Sequence, residues 1–138
     1  MRNKKYIYDL FVQILLIFVV TYLFKSNPNK IQASFWAGAL FVLIPISMMS
    51  REWVFFKFQN KIWWAAVLQF WLLFALPIFI LRIKYSHTPF SEVMVGPFRA
   101  QVLHSISSYS YLLLMGVTLW SWWKYRATEK SKDEKSTN

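Results

Sequence analysis

The sequence of 138 residues has no cysteine, three glycines and only six acidic residues. Without cysteine, the chain forms no disulfide bond, zinc–thiolate site or thiol nucleophile. Few glycines and only five prolines exclude a collagen-like or low-complexity chain. The sequence has no phosphate-binding loop, no serine elbow with histidine and acid, and no pair of carboxylates within one predicted helix. It therefore predicts neither a cofactor nor a bound metal, and it offers no motif for catalysis.

Apolar residues are abundant instead, at 57% of the chain, and aromatic residues alone account for 20%. A soluble protein of this size has too much surface to bury such a fraction of apolar side chains. The run from Ile62 to Leu81 contains no charged residue. About 20 helical residues cross the roughly 30 Å hydrocarbon core of a bilayer. This run therefore predicts a membrane-spanning helix.

Similar apolar runs predict four spanning helices, over residues of about 7–24, 33–50, 62–81 and 102–123. We therefore predict an all-α fold, a polytopic membrane protein in which residues 1–124 form a single four-helix transmembrane bundle. The polar, charged residues 125–138 are predicted to be a disordered cytoplasmic tail. Residues 50–61, with cations among aromatic side chains, form either an interfacial segment or the end of the second helix.

Four helices place both termini on one side of the membrane, and the positive charges predict which side. The N-terminal tail, the second loop and the C-terminal tail hold 11 of the 16 Lys and Arg residues. The positive-inside rule then predicts that both termini are cytoplasmic. Six of eight tryptophans, which favour membrane interfaces, fall at these same helix ends: Trp53, Trp63, Trp64, Trp120, Trp122 and Trp123. A short, basic chain without sorting signals is expected in a bacterial inner or plasma membrane.

The net charge of +10 does not predict a nucleic-acid partner, because the cations lie between and beyond the apolar runs. That placement suits anchoring beside anionic lipid. No recognition motif for nucleic acid accompanies the charge. The predicted partners are the lipid bilayer and either another membrane protein or a second copy of the chain.

Small residues four apart lie on two adjacent rows of the second predicted helix: Ala33, Ser34, Ala37 and Gly38. Such rows let helix backbones approach closely in lipid. We expect close helix packing along them.

Asp9 is the only acid inside a predicted helix, and Gln13 follows on the same face. It is either a structural acid near a helix N-terminus, balanced by nearby cations, or a proton or cation site. Four helices, small size and one acid in the first helix resemble the small multidrug-resistance transporters. That resemblance implies an oligomeric transporter. A transport acid is expected near the membrane middle, which in this helix holds Leu15, Leu16 and Ile17.

A polar stripe follows helical spacing along the outer half of the fourth predicted helix: His104, Ser107, Ser108 and Tyr111. Polar groups in lipid need partners. The stripe therefore either makes hydrogen bonds to another helix or forms the wall of a small site open to the outside.

The longest connection, residues 82–101, contains most of the remaining candidates. Connections of this length are often functional. His87, Glu92 and His104 are candidate acid–base residues, although their spacing matches no metal-ligand motif. Arg82, Lys84 and Arg99 are candidates for binding a lipid head group or another anion at the outer interface.

Three functional hypotheses remain. The preferred one is an accessory or interaction subunit of a membrane complex, including inhibitor or immunity-type roles, without catalytic activity of its own. The second is a small oligomeric transporter or channel, with Asp9–Gln13 and the His104–Tyr111 stripe near its two ends. The third is a lipid-handling enzyme with its site in the outer loop.

Overall fold

The computed structural model describes residues 2–57 and 59–136, and the side chains of residues 4–57 and 59–131. Four helices dominate it: α1 (Arg2–Ser26), α2 (Lys30–Phe56), α3 (Lys61–Lys84) and α4 (Ala100–Ser136). Two short antiparallel strands, β1 (Met94–Val95) and β2 (Phe98–Arg99), form a hairpin between α3 and α4. The predicted all-α class is confirmed. All four helices are long and apolar enough to span a membrane.

Asparagine side chains begin two of the helices. The side chain of Asn29 accepts a hydrogen bond from the backbone N–H of Gln32, at 3.1 Å, and Asn60 accepts one in the same way from Trp63. Each bond satisfies a donor that a helix start leaves without an intrahelical partner. α2 ends at Phe56, followed by Lys57 in the left-handed conformation. Residues 50–56 are thus the last turns of α2.

A π-helical turn interrupts the regular hydrogen bonding of α3. The helix comprises Lys61–Phe70, the π turn Trp71–Ala75 and Leu76–Lys84. Pro77 has no N–H and, in a regular helix, its ring would clash with the carbonyl group four residues earlier. That carbonyl belongs to Leu73, which lies within the π turn. The wider turn accommodates the proline while the chain continues as one helix.

The helices form a ring in which α1 and α3 each pack against both α2 and α4. Neighbouring helices are antiparallel. The ring of Tyr6, near the start of α1, stacks on that of Tyr125, with centroids 5.4 Å apart. Phe35, near the start of α2, meets Phe79 near the end of α3. The start of α1, the α2–α3 turn and the Ser121–Tyr125 part of α4 therefore share one end of the bundle.

The C-terminal segment is helical in the structure, which differs from the disordered tail that the sequence predicts. α4 continues without a break to Ser136, while residues 137 and 138 lie outside the described part. Cations stack one helical turn after tryptophans, with Lys124 above Trp120 and Arg126 above Trp122. These contacts and the good helix formers after Tyr125 let α4 continue beyond its apolar part.

The small-residue rows of α2 face the interior of the bundle. Ala33, Ser34, Ala37 and Gly38 are all buried. A Cβ atom at Gly38 would lie 3.0 Å from the ring of Phe79 in α3. The close approach on this face is therefore made within the chain, and it leaves these residues no surface for another protein.

Replacing Gly38 with Leu is expected to destabilise the fold by about 1–3 kcal/mol, because the new side chain is pressed against the ring of Phe79, which must shift to accept it. Gly116→Leu is the matched control, since a Cβ atom there meets nothing within 4 Å. Thermal unfolding of the detergent-purified variants measures the difference. Equal loss of stability in both variants would contradict the packing of α2 on α3.

Candidate functional site

Two acids and two bases form a charge cluster in the half of the bundle that holds the termini. Asp9 and Glu52 are completely buried, Lys5 is nearly so, and Arg51 is partly exposed. Lys5 forms an ion pair with Glu52, and Arg51 forms one with Asp9. The Lys5 ammonium nitrogen also lies 3.7 Å from a carboxylate oxygen of Asp9. Each buried carboxylate therefore has a cationic partner, and the formal charges sum to zero.

Helix geometry explains how the cluster assembles. Lys5 and Asp9 are one turn apart on α1, and the antiparallel packing of α2 brings Arg51 and Glu52 to the same level. Aromatic rings complete the surroundings, with the Lys5 nitrogen 3.8 Å from the ring centroid of Trp63. Of the two interpretations of Asp9, this arrangement matches the structural acid balanced by nearby cations.

A buried network of neutral hydrogen bonds continues from the charge cluster toward the middle of the bundle. The Thr118 hydroxyl oxygen accepts hydrogen bonds from the Gln13 amide, at 3.1 Å, and from the Trp63 indole, at 3.0 Å. The same hydroxyl donates to the carbonyl of Leu114, so its bonding capacity is filled. The Tyr111 hydroxyl donates to the main-chain oxygen of Gln13 at 3.0 Å. The network ties α1, α3 and α4 together.

Several residues of the charge cluster and of the hydrogen-bond network were not predicted from the sequence. Thr118 and the buried Ser121, which receives a hydrogen bond from Asn60, continue the face of Ser107 and Tyr111 along α4. Extending the predicted stripe by three turns would have found both. Glu52 was missed because it lies beyond the predicted end of the second helix. Trp63 is fully buried, so it belongs to the core and not to the predicted interfacial belt.

A cavity of about 320 Å³ occupies the other half of the bundle. All four helices contribute to its wall, which runs from Phe24, Ser34, Arg82 and His104 toward Phe41, Phe70 and Tyr111 in the middle. Most of the lining is apolar: Ile17, Val20, Phe24, Ala37, Gly38, Phe41, Phe70, Ala75, Ile78 and Leu112. Its size lies at the lower end of the range for small-molecule sites, which are likewise mostly apolar with few polar groups.

The predicted polar stripe lines this cavity but bonds mainly to its own helix. Ser107 and Tyr111 are buried, whereas His104 and Ser108 are exposed. Both serine hydroxyls donate to the carbonyl of His104, at 2.6 and 3.1 Å. Only Tyr111 of the four makes a side-chain hydrogen bond to another helix in the described structure. The stripe therefore combines the two predicted roles. Tyr111 makes a hydrogen bond to another helix, and all four residues line the wall of a cavity.

The candidates in the α3–α4 connection are divided by the structure. Arg82 and His104 line the cavity and meet the ring of Phe90, which lies 3.4 Å from the Arg82 guanidinium carbon. The other four are exposed and do not contribute to that wall: Lys84, His87, Glu92 and Arg99. Among the described residues, no three His, Cys, Asp or Glu side chains are grouped to hold a metal ion. The cavity, with Arg82 at its polar end, is the candidate site.

Comparisons of the chain with protein-family models, with curated proteins and with solved structures found no match.

Replacing Glu52 with Ala is expected to destabilise the protein by about 3–5 kcal/mol, because the buried ammonium of Lys5 then has only Asp9, at 3.7 Å and already paired with Arg51, to balance it. The exposed Glu92→Ala is the control and is expected to change stability by less than about 0.5 kcal/mol. Unfolding midpoints in detergent give both values. A second variant, with Lys5 and Glu52 both replaced by Leu, is expected to recover most of the loss. Equal midpoints for Glu52→Ala and Glu92→Ala would contradict the role of the pair.

Proposed function

We propose that this chain is a non-catalytic binding component of a membrane system, and that the cavity among its four helices is its binding site. The cavity carries the proposal, because an apolar pocket with a few convergent polar groups is the usual form of a small-molecule site. The buried acids support a role without catalysis, since Asp9 and Glu52 are engaged in ion pairs. Ligand binding of this kind suits an accessory subunit that senses or presents a membrane component.

We also propose that the termini face the cytoplasm, in a bacterial inner or plasma membrane. The end of the bundle that holds the start of α1 and the α2–α3 turn is the one associated with most of the cations. Lys5 and Arg51 are neutralised in the charge cluster. Nine Lys and Arg residues still remain on that side, against five on the other, so the positive-inside rule keeps its direction. The cavity then lies in the outer half of the bilayer.

A photoactivatable dodecanol with a diazirine at the end of its alkyl chain tests the binding site in phosphatidylcholine nanodiscs. The probe is expected to label cavity-lining peptides of α2 and α4, around Ala37 and Leu112. Ser108→Leu is expected to reduce this labelling, because the larger side chain takes up part of the cavity.

The matched control is Ser105→Leu. Ser105 is also exposed and also donates to a carbonyl one turn earlier, at 3.1 Å, but it does not line the cavity. Its labelling is expected to equal that of the wild type. Unchanged labelling in Ser108→Leu, or labelling spread evenly over the lipid-facing surface, would contradict the proposed site.

A small oligomeric transporter is the second candidate, and one observation favours it. Polar and cation–π contacts run without a gap from the charge cluster to the cavity: Lys5 lies over the Trp63 ring, Trp63 bonds to Thr118, Thr118 to Gln13, and Gln13 to Tyr111 in the cavity wall. Such a row of polar groups is what a path across a bilayer requires.

Proton flux into proteoliposomes, followed with a pH-sensitive dye, tests this candidate. If the chain transports protons, Asp9→Asn and His104→Ala are expected to abolish the flux, because one removes the buried acid and the other a titratable group of the cavity. Glu92→Gln serves as the control at an exposed acid. Flux that is indifferent to both test variants would argue against transport.

A further inference from the structure

We propose that the ligand of the cavity is an amphiphile with a single anionic head group, held at Arg82, and an alkyl chain that lies between the helices. The inference rests on the proposed function and names the chemical class of its ligand. It starts from the charge of the cavity wall. Arg82 is the only charged residue among those that line the cavity. The acids of α1 and α2, Asp9 and Glu52, do not line it.

Among the residues whose side chains are described, Arg82 has no anionic partner. No carboxylate among them lies within ion-pair distance of its guanidinium group, whose carbon atom lies 3.4 Å from the centroid of the Phe90 ring. A ring over one face of a guanidinium leaves the N–H groups at its edge free to donate. These donors match the paired oxygens of a carboxylate or a phosphate. Since Arg82 is half-buried, an anion bound there would offset the unfavourable free energy of a desolvated cation.

The rest of the wall excludes a ligand that is polar throughout. The hydroxyls of Ser34, Ser107 and Ser108 donate to main-chain carbonyls, and Tyr111 donates to Gln13. Their donors are therefore engaged already, which leaves Thr21 and His104 as the other polar residues of the wall besides Arg82, and the remaining lining is apolar. A polar solute would lose its hydrogen bonds to water there without replacement. An alkyl chain has none to lose.

The dimensions of the cavity agree with one chain. On α2 its wall extends over the eight residues from Ser34 to Phe41, which span roughly 10 Å of helix. A volume of about 320 Å³ is roughly twice that of an engineered apolar cavity large enough to hold benzene. The cation at one end and the apolar wall along the remaining length thus match an anionic head group followed by an alkyl chain.

Arg82 also lies two residues from the end of α3, where a side chain could instead reach the phosphates of bulk lipid. Lys84 is exposed at the same helix end and does not line the cavity. It therefore serves as the control for a cation that contacts only the phosphates of bulk lipid. The pair Arg82→Gln and Lys84→Gln therefore separates a built site from a cationic interface.

The experiment measures equilibrium binding of radiolabelled dodecyl phosphate and dodecanol to the full chain in phosphatidylcholine nanodiscs. The wild type is expected to bind dodecyl phosphate about tenfold more tightly than dodecanol, as charged hydrogen bonds at Arg82 predict. Arg82→Gln is expected to remove this preference and leave dodecanol binding unchanged. Lys84→Gln is expected to keep it, and Ser108→Leu to weaken both ligands while Ser105→Leu weakens neither.

Several outcomes would overturn the inference. Equal binding of the two ligands to the wild type would do so and would leave the proposed function standing, whereas binding of neither would remove both. Equal effects of Arg82→Gln and Lys84→Gln would assign the preference to the general interface. Displacement of dodecyl phosphate by inorganic phosphate at the same concentration would contradict the need for an alkyl chain. Displacement by phosphatidylglycerol added to the nanodisc would support the inference and identify a membrane lipid as the bound species.

Discussion

The ion pairs between α1 and α2 are the contacts on which the arrangement of the bundle depends. Apolar faces alone do not fix how two helices meet in lipid, since lipid tails cover them as well as another helix does. A buried charge has no such freedom, because separation of Lys5 from Glu52 or of Arg51 from Asp9 leaves an uncompensated ion in an apolar medium. The pairs therefore set the register of α2 against α1.

The same reasoning extends to the neutral network around Thr118. Its hydroxyl oxygen accepts hydrogen bonds from Gln13 of α1 and Trp63 of α3. One atom of α4 therefore fixes the axial position of two other helices. Among the described residues, the hydrogen bonds from side chains to other helices end at the level of Tyr111 and of Trp71, whose indole donates to the carbonyl of Val42, and beyond that level the helices line the mostly apolar cavity. One half of the bundle is thus held together by specific polar contacts, which allows the other half to keep an open volume without loss of the fold.

The candidate site was only partly predictable. Arg82, His104 and the Ser107–Tyr111 stripe were identified from residue type and helical spacing, and they do line the cavity. The grouping of Arg82 with Lys84 and Arg99, and of His104 with His87 and Glu92, followed their proximity in sequence. The structure separates these groups, because exposure in a connection depends on how the loop folds back on the helix ends. The apolar wall carries no motif at all, since its residues resemble any others that face lipid.

The sequence by itself determined the helical class, the four apolar segments of spanning length and the asymmetric distribution of positive charge. These follow from composition and local periodicity, which are properties of each segment alone. Only the tertiary structure decided that Glu52 and Asp9 are buried and paired, that Gly38 packs against Phe79, and that the four helices line a cavity beside Arg82. Each of these facts depends on which side chains from distant parts of the chain meet. In an apolar medium that choice is made by a few long-range polar and steric contacts, which hydropathy does not encode.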